Sequence, residues 1–339
     1  MRAEKHLPDW LTLDSQGLYC VPGDFYIDPM GGVDRAVVTH GHADHARPNN
    51  TDVICTPETA GIMGHRYGDR AGKFQELGYH KPIQINEVAL RFVPAGHILG
   101  SAQAVMEYQG ERVVVSGDYK RRADPTCAPF EPVPCDLFVT EATFGLPVFT
   151  HPPDEEEIAK LLRSLQFHPD RAHLIGVYAL GKCQRLMKLI RQAGYHEPIY
   201  LHGAMIGLTE LYESYGQDLG EWQPVAETPK ETMAGKIVLC PPSAVGDRWS
   251  RRFGDPVTGV ASGWMRVRQR AKQKGVELPL VISDHADWNE LLQTLKEVNP
   301  GLLLVTHGQE DALVYEARRL GYAADALHIE GLGEESDEG

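Results

Sequence analysis

Three histidines and an aspartate fall within six residues of the stretch VVTHGHADH, Val37 to His45, directly behind an apolar, β-branched run. A lone imidazole on an apolar face is ordinarily a hydrogen-bonded core residue. The pattern H-x-H-x-D-H asks for more. In an extended chain residues i and i+2 point to one side, so His40 and His42 can share an ion, while Asp44 and His45, past the bend, can face another. Neutral imidazole with carboxylate suits borderline divalent ions such as zinc or manganese. The spacing predicts a dinuclear metal site whose remaining ligands come from elsewhere in the chain.

Four other apolar runs end in the same kind of residue. PAGHILGS carries His97, VVVSGD ends in Asp118, LPLVISDH in His285 and LLLVTHG in His307. Packing alone does not account for a histidine or an aspartate at each of these ends. Asp118, where a strand runs into a polar turn, could bridge two ions.

The elements that must position these residues read as strands first. Tyr26–Asp28, Ala36–His40, Asp52–Thr56, Ala89–His97, Gln103–Tyr108, Arg112–Asp118 and Asp136–Ala142 are short β-branched runs, several closed by a polar or glycine-containing turn. After PVFTHPP the character changes. The amphipathic EEIAKLLRSLQF reads as a helix, with its acids at the favoured N-terminal end. Apolar strands and helices then alternate (HLIGVYAL, GKCQRLMKLIRQAGYH, IYLHG, KIVLCPP), which reads as an α/β unit. The strand LPLVISDHADW, the helix NELLQTLKEV, the strand GLLLVTHG and the helix DALVYEARRLGY follow, and the acidic end reads as a solvated tail.

Composition narrows the class. The 339 residues, 42% hydrophobic and 24% charged, suit a globular chain of one large core or two domains. No apolar run approaches the ~18 residues of a membrane span. MRAEKHLPDW lacks the layout of a secretory signal, and six scattered cysteines without C-x-x-C suggest reduced thiols, so a cytoplasmic location is expected. The net charge of −14 disfavours a polyanionic partner, yet it is unevenly spread. Arg248 to Lys274 holds eight basic residues against the single acid Asp255. A local basic face with Trp249, Phe253 and Trp264 interleaved suits phosphate contact and base stacking, although the aromatics equally suit a core.

In these motifs the chain resembles the metallo-β-lactamase superfamily in its β-CASP nuclease branch. Asp28 in FYIDP, HGHADH at His40–His45, His97 and Asp118 match the four superfamily motifs in order. Glu141 in LFVTEATFG, His285 in SDHADW and His307 in VTHG match the branch's own three, and YALGKCQRL resembles the opening of a β-CASP helix. ASGWMRVR and SDHADWNEL add a resemblance to the bacterial DNA-repair exonucleases found beside ATP-dependent DNA ligases.

The resemblance implies an α/β fold: a metallo-β-lactamase αββα sandwich from residues 1–146 and 281–339, with a β-CASP cap inserted at 147–280. It implies that His40, His42 and His97 hold one metal, that Asp44, His45 and His307 hold the other, and that Asp118 bridges. Asp28 would orient a ligand imidazole, although it equally suits a turn before Pro29. His285 would act as general acid with Glu141 hydrogen-bonded to it. The implied cofactors are two divalent ions, manganese favoured and zinc the alternative. The implied partner is DNA, single-stranded by preference and degraded from the 5′ end, possible endonuclease action included, in repair alongside a ligase and a helicase, with no membrane partner. RNA is the rival substrate: eukaryotic DNA-directed members typically lack the histidine found here at His307, and RNA-processing members have it. Lys120, Arg121, Arg122, Lys182, Arg266 and Arg268 are expected to meet phosphate, Ser262 and Gly263 to offer backbone N–H groups, and Trp264 to stack on a base. A lactamase or thioesterase of the superfamily would lack the insert, Glu141 and His285, and a non-enzymatic relative would have lost ligands.

Overall fold

The strands of the first half form in chain order and end just short of the residues that matter. In the computed structural model, which describes residues 7–328 apart from the side chains of Arg268, Ala271 and Lys274, two compact units are found. One runs up to Pro147 and resumes at His285, and the other is Val148–Asp284. The acidic tail and Arg268's side chain lie outside the described residues.

The first unit opens with β1 (Leu11–Asp14), β2 (Gly17–Cys20), β3 (Phe25–Ile27), β4 (Arg35–Val37), β5 (Asp52–Cys55) and β6 (Lys73–Glu76), which make one sheet in that order. β1 to β3 pair antiparallel and β3 to β6 parallel. Between β5 and β6 lies α1 (Pro57–Tyr67), which the sequence reading did not single out. Its start is locally encoded: the Thr56 hydroxyl accepts from Thr59 N–H, and Pro57 occupies the first turn, where its missing N–H costs nothing.

A second sheet begins with the meander β7 (Ile83–Ile85), β8 (Val88–Pro94), β9 (Ala102–Tyr108) and β10 (Glu111–Val115), followed by the parallel β11 (Leu137–Ala142). The chain then enters the second unit. There α2 (Asp154–Phe167), β12 (His173–Gly176), α3 (Lys182–Gln192), β13 (Ile199–Leu201), α4 (Gly203–Ser214), β14 (Trp222–Pro224), β15 (Ile237–Cys240), β16 (Val257–Ala261), α5 (Arg268–Lys274) and β17 (Leu278–Leu280) build an all-parallel sheet. Its order is β14-β13-β15-β12-β16-β17. β12 and β15 are fully buried, as a parallel sheet with helical crossovers requires.

Back in the first unit, α6 (Trp288–Val298), β18 (Leu302–Gly308), α7 (Glu310–Arg319) and β19 (Ala324–Ala326) complete the second sheet as β19-β18-β11-β10-β9-β8-β7. The two sheets share one core, in which Leu18, Phe25, Ile27, Val37 and Ile54 of the first meet Leu90, Phe92, Met106, Val113, Val139 and Leu304 of the second. α1 covers the other face of the first sheet through Ala60 and Met63. α6 and α7 cover the second through Leu291, Leu295, Leu313 and Val314. Buried faces of this kind stabilise at roughly 25 cal/mol per Å² of apolar surface.

β4 ends at Val37, β8 at Pro94, β10 at Val115 and β17 at Leu280, so His40, His97, Asp118 and His285 all sit on the turns that follow their strands. Strand alternation was expected to put His40 and His42 on one side, but β4 ends before both, so alternation does not place them. The segment turns, with Ala46 N–H donating to His42 C=O at 2.7 Å.

Candidate metal centre

Each turn is held to a neighbouring element by backbone hydrogen bonds. Val38 N–H donates to Ile54 C=O at 2.9 Å, Ser116 N–H to Val139 C=O at 2.9 Å, and Lys120 N–H to Ala95 C=O at 3.1 Å. Two of the residues take backbone conformations that side chains usually avoid. Asp28 has φ 44° and His307 φ 57°. Such positions are uncommon outside glycine and tend to cluster where a site demands them. The pairing of β11 with β18 shifts register between Thr140 and Ala142, beside Glu141 and opposite His307. Bulges of this kind re-aim side chains. Gly117, at φ 55°, lets the Asp118 turn press onto Thr39: a Cβ there would lie 2.6 Å from Thr39 Oγ1.

The side chains converge in two groups. His40, His42, His97 and Asp118 each place a ligand atom within 4.8 Å of the others, and so do Asp44, His45 and His307. Asp118 faces both: its Oδ2 is 3.4 Å from His40 Nε2 and 3.5 Å from His45 Nε2, and its Oδ1 is 3.4 Å from His307 Nδ1. His97 Nε2 lies 3.0 Å from His42 Nδ1.

The donor set fits divalent cations on an observation independent of spacing. His40 Nε2, Asp44 Oδ2, His45 Nε2, Asp118 Oδ1 and both ring nitrogens of His307 are buried without a hydrogen-bond partner. Buried polar atoms in native proteins are nearly always satisfied. Here the orphaned atoms are nitrogen and carboxylate donors gathered in two groups, and a cation in each would satisfy the atoms that face it.

Electrostatics say the same. Burial and the adjacent His45 push the His40 pKa well below its usual value, keeping it neutral, the form that coordinates. Burial disfavours charge on His45, yet Asp118, Asp44 and Asp28 outweigh it and raise its pKa to about 10. Burial opposes charge on His307 as well, and Asp118 again prevails and raises its pKa. The Asp118 carboxyl, which burial alone would raise, is held well below the carboxylate range by His45, His307 and His285. The pocket's carboxylates demand positive charge.

Asp28 is hydrogen-bonded inside this arrangement and does more than shape a turn. Its Oδ1 accepts Thr39 N–H at 2.8 Å, and its Oδ2 accepts Thr39 Oγ1 at 2.6 Å and lies 2.8 Å from His45 Nδ1. With Nδ1–H donated to Asp28, the His45 tautomer leaves Nε2 as the lone-pair donor. Thr39, 3.1 Å from His40 Nδ1 as well, is a residue the sequence reading missed. Its signal was a polar β-branched residue directly before the histidine run.

Beside the ligand groups sits a buried pair, with His285 Nδ1 2.9 Å from Glu141 Oε2. Tyr119 N–H donates to Glu141 Oε1 at 2.7 Å and Thr143 Oγ1 to Oε2 at 2.6 Å, so the carboxylate is fixed from both sides. The His285 loop is tied down as well. Ala286 N–H donates to Tyr119 C=O at 2.7 Å, and Lys120 Nζ to His285 C=O at 2.9 Å.

The expected phosphate contacts divide. Lys120, expected to face substrate, is buried, its ammonium 3.1 Å from Glu290 Oε2. Arg121 pairs with Glu297 at 2.6 Å and lies over the Phe130 ring, and Arg122 pairs with Asp287 at 2.9 Å. These three cations bind α6 to the rest of the first unit. Lys182 is likewise buried, 3.1 Å from Asp284 and over the Tyr178 ring. Ser262 is buried too: its N–H donates to Leu280 C=O and its hydroxyl accepts from Trp264 N–H, so it caps a turn. Gly263 is also buried. Trp264 is half-buried and Arg266 exposed. Desolvating an unpaired ammonium costs far more than pairing it, so the folded chain pairs what it buries.

Comparison with known proteins gives a consistent set of relatives. No family model matches the chain. It is 28% identical over 324 residues to a "Probable DNA ligase" of Opitutus terrae, covering 94% of this chain and 31% of that protein. It is 28% identical over 212 residues to an "RNase J-like protein" of Methanocaldococcus jannaschii (54% of this chain, 50% of that one). It is 32% identical over 127 residues to "Endoribonuclease YSH1" of Saccharomyces cerevisiae (36% and 16%). The chain thus spans half or less of the length of these relatives. In fold it is similar to a crystal structure of a protein of unknown function from Enterococcus faecalis V583, with TM-score 0.61 at 16% identity over 88% of this chain and 79% of that one.

Proposed function

We propose that this chain, which belongs to the β-CASP branch of the metallo-β-lactamase superfamily, is a two-metal phosphodiesterase that degrades DNA. The observation that carries the reading is the set of orphaned ligand atoms converging on Asp118 beside the Glu141–His285 pair. On this reading the first unit is the αββα sandwich and the second the β-CASP cap. His40, His42, His97 and Asp118 hold one ion, and Asp44, His45 and His307 the other with Asp118 between them. Divalent ions bound there, manganese before zinc, would supply Lewis acidity and acidify water near neutral pH.

The chain's own residues do the rest. Asp28 fixes His45 through its Nδ1–H. Glu141, held by Tyr119 N–H and Thr143 Oγ1, accepts a hydrogen bond from His285 Nδ1–H and stabilises the charged imidazole. His285 Nε2 then carries the proton that the leaving sugar oxygen requires. Lys120 and Tyr119 hold the His285 loop in place from the turn after Asp118, so ligand and proton donor share one support.

The Opitutus relative's name supports action on DNA alongside a ligase, and we propose further that the chain acts in repair, cutting single strands from the 5′ end. The free thiols of all six cysteines suit a reducing cytoplasm. RNA cleavage is the second reading, favoured by His307 and by the endoribonuclease names. The test is cleavage of matched single-stranded DNA and RNA, labelled at either end, by chelated and manganese- or zinc-repleted protein. Metal-dependent DNA loss with little attack on RNA is expected, and preferential RNA cleavage would move the chain to the second reading. No cleavage of either would sink both.

A further inference from the structure

We infer that Arg248, Arg251, Arg252, Arg266, Arg270 and Lys272 of the second unit, with Trp264 among them, form a docking surface for single-stranded DNA. The inference rests on the nuclease reading and names a surface of the second unit that grips the same substrate.

All six cations are exposed. Among the described residues none of them has a carboxylate within ion-pair reach. The acids that follow them in sequence are engaged elsewhere. Arg171 takes both, with its guanidinium 2.7 Å from Glu277 Oε1 and 3.3 Å from Asp255 Oδ2. Asp247 caps the turn that opens the segment, its carboxylate accepting from Arg248 N–H. The six exposed cations outnumber these acids, so the segment stays net positive.

The two basic stretches also share a packing neighbour. Arg248–Phe253 form a short turn whose Trp249 packs on Val245 and its neighbours, and Trp264 packs on Met265 and Val281. Val276 lies against both clusters, which brings the two basic stretches to a common neighbour. Trp264 stands edge-on to Phe149, with ring centroids 5.1 Å apart. Arg270 lies 3.9 Å above the Trp264 ring.

Planar cations over an aromatic ring are the platform on which unpaired bases stack, and guanidinium N–H groups meet phosphate oxygens. Paired bases in a duplex are not available for stacking, so the aromatic component selects single strands. The chain's net charge of −14 does not oppose this. Charges beyond about 8 Å are screened at physiological salt, so the local patch governs contact.

The test is fluorescence anisotropy of labelled single-stranded DNA, single-stranded RNA and duplex DNA of about 20 nucleotides, a few site sizes, with the full chain in chelator so that nothing is cut. For Arg248→Ala/Arg251→Ala/Arg252→Ala, single-strand affinity should fall tenfold or more. The slope of log affinity against log salt should become shallower by about 2, near 0.7 per lost contact. The triple Arg→Lys variant should keep most of the affinity. Unchanged affinity and slope in the alanine variant would overturn the surface. So would equal loss in the lysine variant, or duplex binding as tight as single-strand binding. Tighter binding of the RNA than of the DNA would overturn DNA as the occupant. Wild-type hydrolysis of bis(p-nitrophenyl) phosphate with manganese checks the catalytic reading separately, because that small diester needs no docking surface.

Discussion

Lys120, Arg121 and Arg122 of the first unit hold their charge against carboxylates of α6, while Arg248, Arg251 and Arg252 of the second unit turn theirs to solvent. Both are short basic runs. The first follows the end of β10 and begins with Lys120, buried where a charge survives only if paired. The second forms an exposed turn, where water solvates each guanidinium and no partner is needed. Position relative to a core decides whether a basic run is an internal clamp or a surface for anions.

That contrast can be broken or sharpened by substitution. The largest effect belongs to the residue on which the first region converges. Asp118→Ala should lower metal-dependent nuclease activity on the order of 10⁴-fold or more, the scale on which an essential member of a catalytic unit is lost. It should leave oligonucleotide binding largely intact, and near wild-type turnover would end the two-metal reading.

Next is the clamp itself. Lys120→Met leaves Glu290 buried without its ammonium and should cost about 3–5 kcal/mol in urea unfolding. Lys120→Met with Glu290→Gln should recover part of that, since the two are directly coupled. A Lys120→Met protein as stable as wild type would show that the clamp carries no weight.

A smaller effect is expected at the proton donor's support. Glu141→Gln should slow cleavage of DNA by about 10²-fold, the lower range for general acid catalysis. Bis(p-nitrophenyl) phosphate should be far less affected, because nitrophenolate leaves without a proton. Equal loss on both substrates would make Glu141 a structural residue only.

The smallest effect lies on the open side of the comparison. Arg251→Ala should change unfolding free energy by no more than about 0.5 kcal/mol, as surface substitutions do. A large destabilisation would place Arg251 with the clamp. Chelation offers a check across the first region as a whole: ions that bind only the folded chain raise its melting temperature, so chelator should lower it and manganese or zinc should restore it.

Much of this was legible in the residues. β8, β9 and β11 were expected from the β-branched runs Ala89–His97, Gln103–Tyr108 and Asp136–Ala142, although β8 stops at Pro94, and α6 from the apolar period of Asn289–Val298; Asp287 and Glu290 close its start as a capping box. The residues of both ligand groups could be named because imidazole and carboxylate at strand ends have few structural uses. Less legible were α1, whose mixed composition hid a helix that Thr56 and Pro57 start, and Thr39, whose hydroxyl holds Asp28, a residue 11 positions away.

By itself the sequence determined which side chains could bind metal, where the apolar runs lie and where the character changes after Pro147, since residue chemistry and short-range periodicity are local properties. Only tertiary structure decided that Asp118 faces His40, His45 and His307 together, that Asp28 orients His45, and that Lys120 is a buried strut while Arg251 is open to solvent. The reason is physical: burial, and with it the cost of leaving a charge or a hydrogen-bonding atom unpaired, depends on contacts between residues far apart in the chain, and neither composition nor spacing contains them.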